Sequence, residues 1–219
     1  MNDVPPPPPP PYGSVPPGGG SPDVGSALSY GFNKYFANLG PVLLIILVAF
    51  AAQVVVSLLR LAVDSFFLQI VFLIVGVVVS AVVNIGIYNA ALMITAGVTP
   101  TVGTAFSFDR WGEWIAFSIV YGLMVGIGLA LCIIPGLFVL AFFGMAPYFF
   151  IDRGMSMADA FTASREAAGR GYAVPVLLSV IVGALGLIAC GVGALVTMPA
   201  AYIAVAFLYR GATNQVAAP

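Results

Sequence analysis

Long apolar stretches without charge dominate this chain. Residues 35–59, 65–108, 114–151 and 171–209 contain no Asp, Glu, Lys or Arg. Uncharged apolar runs of roughly 18 residues or more read as membrane-spanning helices. Proline and glycine punctuation divides these runs into six spans, at about 41–62, 67–96, 113–132, 137–151, 172–190 and 194–210. Pro41 suits the first position of a helix. Asp64 marks the turn into span two, which ends before Gly97 and Pro100. Pro135-Gly136 marks a turn into span four, and Gly191 with Gly193 the break before span six. Span two, at about 45 Å by helical rise, exceeds a hydrocarbon core of roughly 30 Å and must tilt or protrude. Span four is short, which places the Pro135-Gly136 turn below the headgroups, shielded by protein.

Composition agrees. Of 219 residues, 61% are hydrophobic and 7% charged, where a soluble domain carries roughly 45–50% and about 25%. Mean hydropathy is +1.10. There is no histidine and the net charge is −1. His-based catalysis and ligation are therefore absent, and no basic footprint for nucleic acid exists. Two cysteines alone cannot complete a tetrahedral zinc site, and no cofactor is expected. Residues 1–25 differ from the rest: Pro5 to Pro11 form an unbroken run, followed by Pro16, Pro17, Gly18, Gly19, Gly20 and Pro22. This composition favours polyproline II and flexible chain, and it reads as a disordered cytoplasmic tail, either a docking peptide or a solubilising tether. The transmembrane domain covers 26–212, with a short tail over 213–219.

Charge placement gives an orientation. With six spans both termini share a side, and Lys34, Arg110, Arg153, Arg165, Arg170 and Arg210 lie there, against Arg60 alone opposite. The positive-inside rule makes that side cytoplasmic. Tyr30, Tyr35, Phe36, Trp111, Trp114, Tyr148, Tyr172 and Tyr209 fall near the same boundary as an expected aromatic belt. Ser26-Ala27-Leu28-Ser29, Thr104-Ala105-Phe106-Ser107 and Asp159-Ala160-Phe161-Thr162 share one pattern, each followed by a basic residue and then two spans. The fold class expected is an all-α membrane protein: six transmembrane helices in three hairpins, each preceded by a cytoplasmic interfacial amphipathic helix. In the first of these helices Leu28, Phe32 and Phe36 would point into lipid or protein.

Candidate chemistry is sparse. Gly76, Ser80, Asn84 and Tyr88 recur every four residues along span two, with Asn89 and Thr95 below them. Such spacing lines one helix face, and polar groups in hydrocarbon must face a partner helix or a wet cavity. Gln53, the only amide of span one, is the natural facing partner. Interhelical packing and a polar substrate path are both open readings of that face. Gly122 with Gly126, and Ser179 with Gly183, have the spacing of packing notches. Arg60 and Asp64, at i and i+4, read as a surface ion pair. Cys132 and Cys190 close equivalent spans on the outer side, where a disulfide persists; two small buried thiols are the alternative. No ionisable residue falls in the middle third of any span, which argues against ion-coupled pumping. No glycine-rich phosphate loop ending in Lys-Ser/Thr is present.

The run Ile134-Pro135-Gly136-Leu137, then Pro147-Tyr148, Ile151-Asp152, Ala158-Asp159-Ala160-Phe161 and Ser164 resembles a bacterial, actinobacterial-type family of six-span membrane proteins. That family is related to the membrane domain of some glycerophosphodiester phosphodiesterases. Asp159 stands where the family has Glu, and Phe161 where it has Leu; Ala27 to Phe32 resembles the family's opening helix. The resemblance implies a fold and a bacterial plasma-membrane location, not a reaction, because no phosphodiesterase domain is attached. Asp152, Asp159, Ser164, Arg165 and Arg170 are candidate contacts for a partner or for lipid headgroups.

The reading of function that follows is a non-enzymatic scaffold or accessory subunit of a cell-envelope complex. Its partners would be the lipid bilayer and other subunits, met through the cytoplasmic face or the proline-rich tail. The rivals are a permease-like subunit and a lipid-handling protein, each using a polar path along span two.

Overall fold

The computed structural model describes residues 23–188 and 193–219. Among these residues the fold is all-helical, without strands. The helices are α1 (Val24–Ala37), α2 (Leu39–Leu61), α3 (Phe66–Thr95), α4 (Val102–Ala105), α5 (Trp111–Leu131), α6 (Ile133–Phe143), α7 (Ala146–Arg153), α8 (Met157–Ala167), α9 (Ala173–Leu185) and α10 (Ala194–Ala212). A π-helical turn, Ala168–Tyr172, joins α8 to α9. Six helical stretches are long and apolar enough to cross a membrane: Leu39–Leu61, Phe66–Thr95, Trp111–Leu131, Ile133–Arg153, Met157–Leu185 and Ala194–Ala212. The proline-rich run and Cys190 lie outside the described residues.

Several expected boundaries move. The chain turns at Cys132, which is extended (φ −170°, ψ 150°), rather than at Pro135-Gly136. Pro135 sits in the first turn of α6, where a missing N–H has no intrahelical partner to lose. Gly136 is what lets α6 approach α5: a Cβ there would fall 2.5 Å from Leu129 Cγ and 2.8 Å from its backbone nitrogen. The break between α6 and α7 precedes Pro147, which cannot donate to the Phe143 carbonyl. Ser164 Oγ donates to the neighbouring Phe142 carbonyl at 2.9 Å. Before span five, α8 and α9 are two helices joined across a kink. Gly171 makes the bend at φ 100°, a conformation that costs glycine little. The segment before span three forms only the single turn of α4.

The first helix, α1, packs against α10. Tyr35 Oη donates to the Leu195 carbonyl at 3.0 Å, Gly31 abuts Ala200 and Ala204, and the Tyr30 ring stacks on Phe207 at 4.5 Å. These contacts run in opposite chain order, so the two helices are antiparallel. The backbone explains the tyrosine. Pro199 lies inside α10 and supplies no N–H to the carbonyl four residues earlier, which is that of Leu195. The Tyr35 hydroxyl fills the vacancy in the hydrogen-bond ladder. A Cβ on Gly31 would fall 2.3 Å from the Ala200 carbonyl oxygen, so no larger residue fits there. Leu28 and Phe32 pack against the core, whereas Phe36 is exposed.

Around α10 the core is aromatic and concentrated toward one end of the bundle. We call this the basic end, because Arg110, Arg153 and Arg210 lie there. Tyr35, Trp114, Tyr148 and Tyr209 are each at most 1% exposed. They are core residues, not a belt facing lipid. Tyr209 Oη donates to Asp152 Oδ2 at 2.7 Å, and Arg210 pairs with the same carboxylate at 3.5 Å. Arg210 also donates to Thr95 Oγ1, to the Leu92 carbonyl and to Gln215. Residues 213–219 fold back over this knot. Ala218 N–H bonds the Thr95 carbonyl at 2.9 Å, Tyr30 Oη donates to the Ala218 carbonyl at 2.9 Å, and Lys34 Nζ donates to the Pro219 carbonyl. Burial beside this segment pushes the Tyr30 phenol up to about 12, against a smaller opposing pull from Arg210.

Candidate functional site

Two concavities meet at the middle of α3 and α5. The first is a half-open chamber of about 430 Å³ lined by α3, α5, α6, α7, α9 and α10. Its polar lining is Asn84, Tyr88, Ser118, Tyr121, Tyr148 and Tyr202, with no ionisable Asp, Glu, Lys or Arg. The second is a groove of about 530 Å³ between α2, α3 and α5, lined by Gln53, Ser57, Arg60, Gly76, Ser80, Asn84 and Ser118 among apolar side chains. Asn84, Ser118 and Gly122 border both spaces. Gln53, Ser57, Leu73, Val77, Ile119 and Leu123 are exposed along the groove, so it opens sideways.

Local sequence dictates this shape. The four-residue spacing of Gly76, Ser80, Asn84 and Tyr88 puts them on one face of α3, and Trp114, Ser118, Gly122 and Gly126 repeat the same spacing on α5. Gln53 Nε2 donates to Ser80 Oγ at 2.8 Å, and Ser57 Oγ to the Gln53 carbonyl at 2.8 Å. Asn84 Nδ2 donates back to the Ser80 carbonyl at 2.8 Å, which leaves its amide oxygen available. Gly122 and Gly126 are not packing notches: a Cβ built on either meets nothing within 4 Å. They keep the chamber wall thin. Gly183 is a true notch, since its Cβ would lie 2.9 Å from Ala201 Cβ.

Ser118 Oγ is buried and has no hydrogen-bond partner among the described residues. An unpaired buried hydroxyl costs about 1–3 kcal/mol of desolvation. At the basic end the chamber is closed by rings. Tyr88 meets Trp114, Tyr148 and Tyr202 edge-to-face at 5.9, 5.1 and 5.1 Å. Tyr148 stacks on Tyr209 at 6.0 Å, and Tyr148 Oη donates to the Tyr202 carbonyl at 2.8 Å. Trp114 is fixed by its indole N–H, which donates to the Ala81 carbonyl at 2.8 Å. Aromatic packing therefore separates the chamber from the Asp152–Arg210 pair.

The residues singled out in the sequence divide. Gln53, Ser80, Asn84 and Tyr88 gather along the groove and chamber. Asn89 does not: its amide donates to the Ala105 and Ser107 carbonyls at 3.0 and 3.4 Å, tying α3 to α4. Asp152 is exposed and engaged by Arg210 and Tyr209, whereas Ser164, 2% exposed, is held by the Phe142 carbonyl and is not a surface contact. Asp159 belongs to the cap of its own helix, its N–H bonded to Ser156 Oγ, which donates to its carboxylate at 2.6 Å. Arg165 and Arg170 are exposed. Arg60 and Asp64 form no ion pair, because α2 ends at Leu61 and Asp64 lies in the following turn. Cys132 is a free, exposed thiol, and no disulfide partner for it lies among the described residues. Sequence reasoning missed Ser118, Tyr121, Tyr148 and Tyr202. The α5 spacing carries the signal for Ser118; the tyrosines resemble boundary aromatics until α7 and α10 are folded together.

The arrangement defines a class, a polytopic helical membrane-type protein built around a charge-free chamber. No family model, curated protein or solved structure matches this chain.

Proposed function

We propose that this chain is a lipid-handling protein of a bacterial plasma membrane, which receives an amphiphile sideways through the groove and holds part of it in the chamber. It works without catalysis, as the absence of ionisable residues from the chamber lining suits binding and passage rather than reaction. The observation that carries this reading is the shared border of the two spaces at Asn84, Ser118 and Gly122, with Ser118 Oγ unsatisfied. Both termini lie in the cytoplasm, on the strength of six cations at one end against Arg60 at the other. The spans form three hairpins, α2 with α3, α5 with α6–α7, and α9 with α10, each led by α1, α4 or α8. Contacts between Gln53 and Ser80, Gly128 and Gly136, and Gly183 and Ala201 support those pairings. The architecture accords with the six-span family that the Ile134–Gly136 and Asp152–Ser164 segments resemble.

Lipid retention tests the proposal. Purified in mild detergent, the protein is expected to carry an amphiphile detectable by native mass spectrometry, and Gly126→Trp, at a position where a Cβ meets nothing within 4 Å, is expected to remove it while the melting temperature stays put. A wild type without retained amphiphile, or equal retention by the variant, overturns it. A scaffold role is the second reading, favoured by the exposed charges of α8 at Asp159, Arg165 and Glu166 and of the following bend at Arg170. It predicts instead that a stable partner subunit co-purifies and that Gly126→Trp leaves that association unchanged.

A further inference from the structure

The groove carries a chemical asymmetry that narrows its occupant. Arg60 lines one end of it and is the single cation on its side of the spans. Among the described residues Arg60 makes no ion pair or hydrogen bond through its guanidinium. Seven residues of α2 separate Arg60 from Gln53, and four of α3 separate its partner Ser80 from Asn84. By helical rise that path is about 16 Å, the depth of roughly one leaflet of hydrocarbon. Along it Gln53, Ser57 and Ser80 engage one another, so the wall between the two ends tolerates an apolar chain. The far end reaches Ser118 and Asn84, whose amide oxygen is free.

Resting on the lipid-handling reading, we propose that the groove is a binding site for an anionic amphiphile of the adjacent leaflet. Its oxyanion headgroup pairs with Arg60, and its chain lies along α2 and α3 with its end in the chamber. A headgroup charge buried in the chamber would meet no cation and cost several kcal/mol. The charge therefore stays at Arg60. Phosphate and carboxylate headgroups share this chemistry, and a soluble phosphate lacks the chain that the path accommodates.

The experiment uses the full chain in nanodiscs. It measures competition between phosphatidic acid, a long-chain fatty acid and diacylglycerol of matched chains, with soluble glycerol phosphate as a fourth competitor. Wild type is expected to prefer both anionic lipids over diacylglycerol by about fivefold, the worth of one cation near the surface, and to ignore glycerol phosphate. Arg60→Gln is expected to abolish the preference and keep diacylglycerol binding, while Arg165→Gln at the basic end changes neither. Gly122→Trp, placed where the two spaces join, is expected to reduce binding of all three lipids. An unchanged preference in Arg60→Gln overturns the headgroup assignment and leaves the lipid-handling reading standing. Competition by glycerol phosphate overturns the amphiphile. If Gly122→Trp binds every lipid as wild type does, the groove is not the site and the lipid-handling reading fails with it.

Discussion

Helices α10 and α3 are both apolar enough to cross a membrane, yet they answer to different solvents. In the most apolar window of α10, 56% of residues are buried inside the protein; in that of α3, 6% are. Helix α10 has 19 residues and many alanines, and α1, α3 and α9 crowd onto it. Helix α3 has 30 residues, and Phe66 through Val78 largely face outward. The α3 window is also the more apolar of the two, although lipid tails are as apolar as a leucine core, so apolarity alone does not decide burial. What separates them is residue size. Small side chains on α10 let neighbouring backbones approach, whereas branched and aromatic ones on the first half of α3 hold neighbours off and leave the groove open beside them.

Substitutions break this contrast in graded steps. Gly31→Leu forces a side chain into the α10 backbone, and it is expected to cost about 3 kcal/mol or more, or to abolish the folded state; thermal unfolding in one detergent measures it. Asp152→Asn removes the charged partner of Arg210, which keeps its bonds to Thr95, Leu92 and Gln215, with an expected loss of about 1.5 kcal/mol by the same assay. Tyr35→Phe returns the Leu195 carbonyl to its unpaired state and should cost about 1 kcal/mol. Tyr30→Phe loses a bond of similar worth and adds a pH signature. Because folding raises the Tyr30 phenol from 10 to about 12, its contribution is intact below pH 10 and fades as pH climbs through 12. Wild type should therefore lose more melting temperature between pH 9 and 11.5 than the phenylalanine variant does. On α3 the same kind of change is expected to be almost silent. Gly76→Leu, whose Cβ has no neighbour nearer than 3.7 Å, and Phe67→Ala, 72% exposed, should each move stability by less than about 0.5 kcal/mol. A large effect at Gly76 would mean that the groove is closed in the folded protein.

Spans one to three were legible in the sequence because length, hydropathy and charge set them locally. The face of α3 was legible too, since Gly76, Ser80, Asn84 and Tyr88 repeat at helical spacing. What escaped depends on partners distant in the chain. Nothing near Tyr35 says that it will meet a carbonyl freed by Pro199. Pro135-Gly136 looks like a turn until Gly128 supplies the opposite half of a close helix contact. Ser164 looks like a surface residue until the Phe142 carbonyl arrives, and nothing near Asp152 announces Arg210. The chamber itself is a property of six helical segments together, and only its α3 and α5 walls have a periodic signature.

The grip of α1 on α10 has a consequence for how the protein is made. Tyr35 and Leu195 are 160 residues apart, and Tyr30 and Ala218 are 188. A chain emerging from the ribosome at about 5–20 residues per second inserts α1 well before α10 exists. Through that interval Gly31, Tyr30 and Tyr35 have no partner, and the earlier spans must settle around an unfilled slot. Closing so long a loop comes late in folding and slowly. Helix α10 thus acts as the keystone: assembly of the bundle waits on its synthesis, and a chain stopped before Ala194 leaves α1 without a seat.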